Sequence, residues 1–249
     1  MTKPCRILLL GGTGDSRALA EALEGRADVE VITSLAGRTE QPARIPGELR
    51  IGGFGGIDAL ANYLHDERID LLVDGTHPFA ARISGNAEEA CRRSGTPCLV
   101  LTRPPWREVK GDRWISVADA KAAAEVLPGL AERVFLSVGK QEVEAFAGLP
   151  GIWFLVRVID APRDELPLKN YEVVLGRGPF EENGERALFL LHGIQALVTK
   201  NSGGDATYAK IAVARELGLP VVMIQRPPHD DQETAESVDA ALRWISERL

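Results

Sequence analysis

Residues 8–23, LLLGGTGDSRALAEAL, set three glycines and an aspartate between an apolar run and a segment of helical period. A strand-to-helix turn so short of side chains lets backbone N–H groups approach a phosphate at a helix N-terminus. Gly12 and Gly14 supply the close approach, and Gly11, Thr13, Asp15 and Ser16 surround it. Arg17 stands where the pattern G-x-G-x-x-G has its third glycine, so the dinucleotide fingerprint is incomplete and a purely structural turn stays open. The next strand ends VITSLAGR, without the carboxylate that binds an unmodified ribose. Thr33, Ser34 and Arg38 offer hydroxyls and a guanidinium instead, which favours a 2′-phosphate and hence NADP over NAD. Glu30 lies inside that strand and is less well placed.

Other stretches add candidates. RIGGFGGIDAL, residues 50–60, is a second glycine cluster before a helix, where Gly53 either lets backbone pass close to a cofactor or closes a plain loop. DGTHPFAARISGNA, residues 74–87, ends a strand with Thr76, His77, Pro78 and Phe79. His77 is read either as a proton donor or as a group satisfying local backbone. SVGKQEVEAF places Lys140 after a strand, and TKNSGGDATYAK places Lys200, Asn201, Ser202, Gly203, Gly204 and Asp205 after another. A lysine beside exposed amides suits carboxylates or phosphates. Arg157, Arg163, Arg177 and Arg226 either floor a basic cleft or are surface charges. No P-loop, serine nucleophile elbow or zinc-ligand spacing occurs, and no metal is expected.

The elements that position these residues follow an alternating pattern. RILLL, VEVIT, IDLLVDG and PCLVLTR read as buried parallel strands, and SRALAEALEGR, IDALANYLHDER and RISGNAEEACRRSG as amphipathic helices covering them. TRPPWREVKGDRW breaks every period and marks a boundary. The alternation then restarts with ADAKAAAEVL, RVFLSVG, IWFLVRVI, FEENGERALFLLHG, QALVTKN, ATYAKIAVARELG and PVVMIQR, and AESVDAALRWISERL closes it as a helix. The expected fold is α/β: two Rossmann-like domains with mainly parallel sheets and an interdomain cleft, residues 1–104 binding NADP and residues 105–249 completing the substrate site. Both halves run strand, polar loop, helix, Gly-x-Pro, strand, Arg-Pro-Pro, with the loops at strand carboxyl ends where such sheets bind ligands.

Composition limits the partners. A net charge of −7 argues against nonspecific binding to nucleic acid or an anionic membrane, so an anionic ligand must be held by local basic groups. Cys5, Cys91 and Cys98 form neither a C-x-x-C pair nor a disulfide framework, which suits a reducing cytoplasm, and Cys5 and Cys98, each in an apolar run, read as small buried hydrophobes. MTKPCRILLL has too short an apolar core for a signal peptide, and no run reaches the roughly 18 apolar residues of a membrane helix.

LLLGGTGDSRALA, DGTHPFAARIS, VLTRPPW, LSVGK and VTKNSGGDATYAKIAVARELGLPVVMIQRPP together resemble the precorrin-6A reductase family of cobalamin biosynthesis, from the first strand to the last. The resemblance implies NADPH-dependent reduction of one double bond in the precorrin-6A macrocycle to give precorrin-6B, on a metal-free or a cobalt-bearing ring. It further implies that Gly12 to Arg17 line the cofactor with Ser34 and Arg38 near its 2′-phosphate, and that the THPFA and KNSGGDA loops border the cleft. A tetrapyrrole rich in carboxylates needs concentrated cations, for which Arg82, Lys140, Arg157 and Lys200 are the candidates, with Phe79, Asn201, Ser202, Gly203 and Gly204 beside them. Proton delivery would fall to His77, Tyr208 or water. Transient contact with neighbouring pathway enzymes is compatible with such a role. Two other classes fit the residues: a type B glycosyltransferase using a sugar nucleotide, and a non-catalytic NADP-binding sensor.

Overall fold

A computed structural model describes residues 3–37, 44–227 and 232–249. The chain divides into two units, residues 1–104 with 227–249, and residues 105–226.

In the first unit β1 (Cys5–Leu10), β2 (Val29–Leu35), β3 (Glu48–Ile51), β4 (Leu71–Asp74), β5 (Cys98–Leu101) and β12 (Thr234–Ala235) form one parallel sheet, in the order β12-β5-β4-β1-β2-β3. β1 and β4 are apolar because helices cover both faces of a parallel sheet. α1 (Gly14–Leu23) presents Leu19, Ala20 and Leu23 to one face, where Trp244 and Ile245 of α7 (Val238–Ser246) complete the core. α2 (Ile57–Asp66) and α3 (Ala81–Ser94) cover the other face through Leu60, Leu64, Ala87 and Ala90. α3 stops at Gly95, whose left-handed φ of 75° lets its N–H close back on the Cys91 carbonyl.

The second unit repeats the plan. β6 (Trp114–Val117), β7 (Arg133–Ser137), β8 (Trp153–Val158), β9 (Tyr171–Leu175), β10 (Ala196–Lys200) and β11 (Val221–Ile224) order as β6-β11-β10-β7-β8-β9, all parallel. α4 (Ala120–Val126), α5 (Glu182–Leu191), α6 (Ala209–Glu216) and a 3-10 helix at Lys140–Phe146 accompany it, around a core of Phe135, Leu155, Phe189 and Ile211.

The order of each sheet reverses once, between β1 and β4 in the first and between β7 and β10 in the second, which places the ligand crevice at those strand ends. The final segment differs from the expectation that residues 105–249 form one domain. β12 pairs with β5 through Thr234↔Val100 and Ala235↔Leu101, and α7 packs on α1, so residues 227–249 complete the first unit. The physical reason is burial: Trp244 and Ile245 find their apolar partners on the first sheet. In each unit the sixth strand, β12 or β6, lies beside the fifth but is reached through a connection that follows the other unit's fifth strand.

Candidate functional site

The turn after β1 is built by Ser16. Its hydroxyl accepts from the N–H of Gly12 at 3.2 Å and of Thr13 at 3.1 Å, and donates to the Thr13 carbonyl at 2.9 Å. Thr13 caps α1 in return, its Oγ1 accepting from the Ser16 N–H, and it also donates to the Gly75 carbonyl after β4 at 2.7 Å. The turn is therefore tied across the crevice. Gly12 needs its glycine for a φ of 123°, while a Cβ added at Gly12 or Gly14 would meet nothing within 4 Å. Gly11 is different: its Cβ would press on Thr33 and Leu35 at 3.1 Å, and its N–H is spent on the Ser34 carbonyl.

These bonds change which amides face a ligand. Gly12 was expected to offer its N–H to a phosphate, but Ser16 occupies it, so the available donors are Gly14 and Asp15, ahead of the first i to i−4 bond at Arg17. Arg17 is exposed and pairs with Glu21, so the missing third glycine costs no packing. Close helix-to-strand approach is supplied by Gly75, where a Cβ would fall 2.7 Å from that of Ser16. Asp15 is held by Arg103, from the end of β5, at 2.9 Å. That pairing offsets a carboxylate lying beside anion-binding amides.

On the β2 side Thr33 is only 1% exposed, and its hydroxyl has no partner among the described residues. Its methyl lies under the turn, 3.1 Å from where a Cβ at Gly11 would stand. Ser34 is buried at the end of β2 and accepts from Arg50 at 3.3 Å. Arg50 comes from β3, whose register pairs it with Ser34, and donates to the carbonyls of Gly52 at 2.7 Å and Gly53 at 3.0 Å. The Phe54 ring lies 3.9 Å below its guanidinium. Arg38 falls outside the described residues. Sequence reading assigned a role to neither Arg50 nor Arg103, although Arg50 opens the quoted RIGGFGGIDAL and Arg103 lies within VLTRPPW.

In the loop after β4, the Thr76 N–H donates to Asp74 and its hydroxyl lies 3.4 Å from that of Ser84. His77 Nδ1 accepts from the Phe79 N–H at 3.3 Å, and its carbonyl accepts from Ala80 at 2.7 Å, so the residue shapes the entry to α3. Phe79 is half-buried, and Arg82 is exposed in the first turn of α3.

The second unit reassigns several residues. Arg157 is buried and forms a two-pronged pair with Glu185 at 3.0 and 2.7 Å, between the rings of Phe135 and Phe180. It belongs to the core, not to a surface that receives substrate. Beside that pair, burial pushes the Lys210 ammonium down to about 7, reinforced by Arg157 and opposed by Glu185, while Lys210 donates to the Thr207 carbonyl at 2.7 Å. Asn201 is also buried, and its amide exchanges two bonds with the Trp106 backbone at 2.7 and 3.0 Å, which makes it a brace for that segment. Arg226 donates to the Asn201 and Ser202 carbonyls, both at 2.7 Å, and Gly203 and Gly204 turn the loop with φ near 70°. Lys200 pairs with Glu142, and Lys140 is exposed. Tyr208 was a candidate proton donor. Its hydroxyl instead accepts from Arg215 at 2.6 Å, two turns along α6 and away from the strand ends.

Among the described residues no three His, Cys, Asp or Glu side chains gather as metal ligands, and no helix is long and apolar enough to cross a membrane. The three cysteines are thiols, and Cys98 is held far above its ordinary pKa by a hydrogen bond with Cys91 and by burial.

Residues 6–246 match the family described as precorrin-6x reductase CbiJ/CobK. The chain belongs to this family. The precorrin-6A reductase of Rhodococcus erythropolis is 49% identical over 241 residues, covering 96% of this chain and 97% of the relative. The solved structure of CobK precorrin-6A reductase superposes with a TM-score of 0.93 at 39% identity, covering 98% and 97% of the two chains. A more distant relative, the cobalt-precorrin-6A reductase of Priestia megaterium, shares 30% over 236 residues, 89% of this chain and 90% of its own. The reductase family of cobalamin biosynthesis thus replaces the glycosyltransferase and sensor readings with an oxidoreductase acting on a CH–CH group of the macrocycle.

Proposed function

We propose that this reductase uses NADPH to reduce one double bond of metal-free precorrin-6A, giving precorrin-6B. The observation that carries the reading is full-length identity of 49% to a precorrin-6A reductase against 30% to a cobalt-precorrin-6A reductase. The residues present fit the cofactor. Space is open over Gly12 and Gly14, the first-turn amides of Gly14 and Asp15 lack internal acceptors, and the Asp15 charge is offset by Arg103. NADPH supplies the hydride when bound.

The chain's own residues do the positioning. Ser16 and Thr13 fix the turn before any ligand arrives, so little is lost in ordering it. Gly14 and Asp15 donate to the pyrophosphate. Each unit by itself offers an exposed cation at a strand end for macrocycle carboxylates, Arg82 after β4 in the first and Lys140 after β7 in the second, while the ammonium of Lys200 is already paired with Glu142. Proton delivery falls to His77 as the imidazolium, in which both ring nitrogens are donors, or to water. Cytoplasmic placement and transient contact with neighbouring pathway enzymes belong to the same reading.

The test is anaerobic incubation with NADPH and either the metal-free or the cobalt-bearing macrocycle, read by mass spectrometry. A gain of two hydrogens on the metal-free ring supports the proposal. Turnover of the cobalt form alone, or of neither, removes it.

A further inference from the structure

We infer that Arg50 is the residue by which this reductase selects a cofactor phosphorylated on its adenosine ribose. The inference deepens the NADPH reading above and rests on it.

Three observations converge on this residue. The β2–β3 register makes Arg50 the direct neighbour of Ser34, at the strand end where dinucleotide folds recognise the ribose 2′ position. The guanidinium carbon lies 3.9 Å from the Phe54 ring centroid, and the group is steered by the Gly52 and Gly53 carbonyls, so its orientation is set without a ligand. Finally, it has donors and charge to spare. Of five N–H groups three bonds are accounted for, to Ser34, Gly52 and Gly53, and no carboxylate lies within 4.0 Å among the described residues. The surrounding backbone leaves room, since a Cβ at Gly52 or Gly53 would meet nothing within 4 Å.

A planar cation with unused N–H groups, beside a hydroxyl and bare glycines, suits a dianionic phosphate better than two ribose hydroxyls. β3 was invisible as a strand in the sequence, which is why the role fell there to Arg38.

The experiment compares 2′,5′-ADP with 5′-AMP by calorimetric titration of the full-length protein, in the parent, Arg50→Ala, Arg50→Gln and Arg38→Ala. The parent is expected to favour 2′,5′-ADP. Arg50→Ala should cut that preference by about 10- to 100-fold, as for loss of charge-assisted hydrogen bonds, with 5′-AMP affinity unchanged. In steady-state assays the NADPH over NADH ratio of kcat/KM should fall in parallel, while kcat at saturating NADPH holds. Arg50→Gln keeps a donor for the Gly52 carbonyl without the charge, so it serves if Arg50→Ala does not fold, and it should lose the preference too. Equal losses for both nucleotides would make Arg50 a purely structural brace and overturn the inference. So would intact discrimination in both Arg50 variants, or its loss only in Arg38→Ala. A parent that does not distinguish the two nucleotides would instead bring down the NADPH reading itself.

Discussion

Two glycines at the same turn should answer oppositely to alanine. At Gly75 the added Cβ would sit 2.7 Å from Ser16 Cβ, 3.3 Å from the Leu10 carbonyl oxygen and 3.4 Å from Ser16 Cα. Neither neighbour can yield cheaply: Leu10 lies in the central strand, and Ser16 is pinned by its bonds with Gly12 and Thr13. Overpacking of this kind costs about 1–3 kcal/mol. At about 3 °C per kcal/mol for a chain of this size, Gly75→Ala should melt about 3–9 °C below the parent. At Gly14 the Cβ meets nothing within 4 Å and the residue is already helical, so Gly14→Ala should melt within about 2 °C of the parent, or slightly above it. That open space is where the cofactor phosphates are proposed to lie, so Gly14→Ala should instead weaken NADPH by about tenfold or more, equivalent to about 1.4 kcal/mol. Thermal melts over a NADPH series read both quantities, because ligand raises the midpoint according to its affinity. A Gly75→Ala protein that melts like the parent would refute the packing argument. A Gly14→Ala protein with parental NADPH affinity would show that the phosphates do not lie over α1.

Lys210 titrates near 7 in the folded protein and near 10.4 when unfolded, so unfolding takes up a proton between those values. Stability should therefore rise with pH there, by up to about 1.4 kcal/mol per pH unit, and be flat below 7. Lys210→Met should remove the rise, and urea midpoints that track the parent at every pH would count against it. Arg103→Ala strips the partner from Asp15 beside the first-turn amides, so it should weaken NADPH and NADH by similar factors in a fluorescence titration; a loss confined to one of them contradicts this placement. Tyr208→Phe should leave kcat and its pH profile unchanged while lowering stability by about 1 kcal/mol, since the hydroxyl serves Arg215; a displaced pH profile would return the residue to catalysis. A chain ending at Arg226 loses Trp244 and Ile245 from the first core, worth about 5 kcal/mol of burial. Hydrogen exchange should then show the first unit open and the second protected, and the reverse pattern would refute the division at Pro227.

The legibility of the fold follows the physics of strand burial. All eight strands read from apolar runs are interior ones, β1, β2, β4 and β5 in one sheet and β7, β8, β10 and β11 in the other. The missed strands, β3, β6, β9 and β12, are the four edges. An interior parallel strand is covered on both faces and reads as a largely apolar run, whereas an edge strand meets solvent along one side and tolerates ELRI or WISV. The same blindness misplaced the last helix: AESVDAALRWISERL announces an amphipathic helix plainly, but its apolar face does not say which sheet it will cover. That choice rests on how Trp244 and Ile245 fit the first core and on the short pairing of Thr234 and Ala235 with β5, and neither leaves a periodicity to read.

For the site, chain position was legible and side-chain use was not. The glycine turn, the loop after β4 and the KNSGGD loop all lie at strand carboxyl ends, as the alternation of strands and helices requires. Yet residue type alone cannot tell a polar group that meets a ligand from one that holds the frame around it. Asn201 and Arg226 spend their donors on backbone, Arg157 is consumed by Glu185, and Ser16 takes the amide that Gly12 was expected to give. Each of these partners is distant in sequence or hidden inside a turn. Arg50 shows the converse, because its place beside Ser34 depends on a register between two strands, one of which leaves no apolar trace. A polar residue near a glycine loop is therefore a candidate only until its hydrogen bonds are counted. By that count Gly14, Asp15 and Arg50 keep donors to spare, which is why the proposed cofactor contacts rest on them.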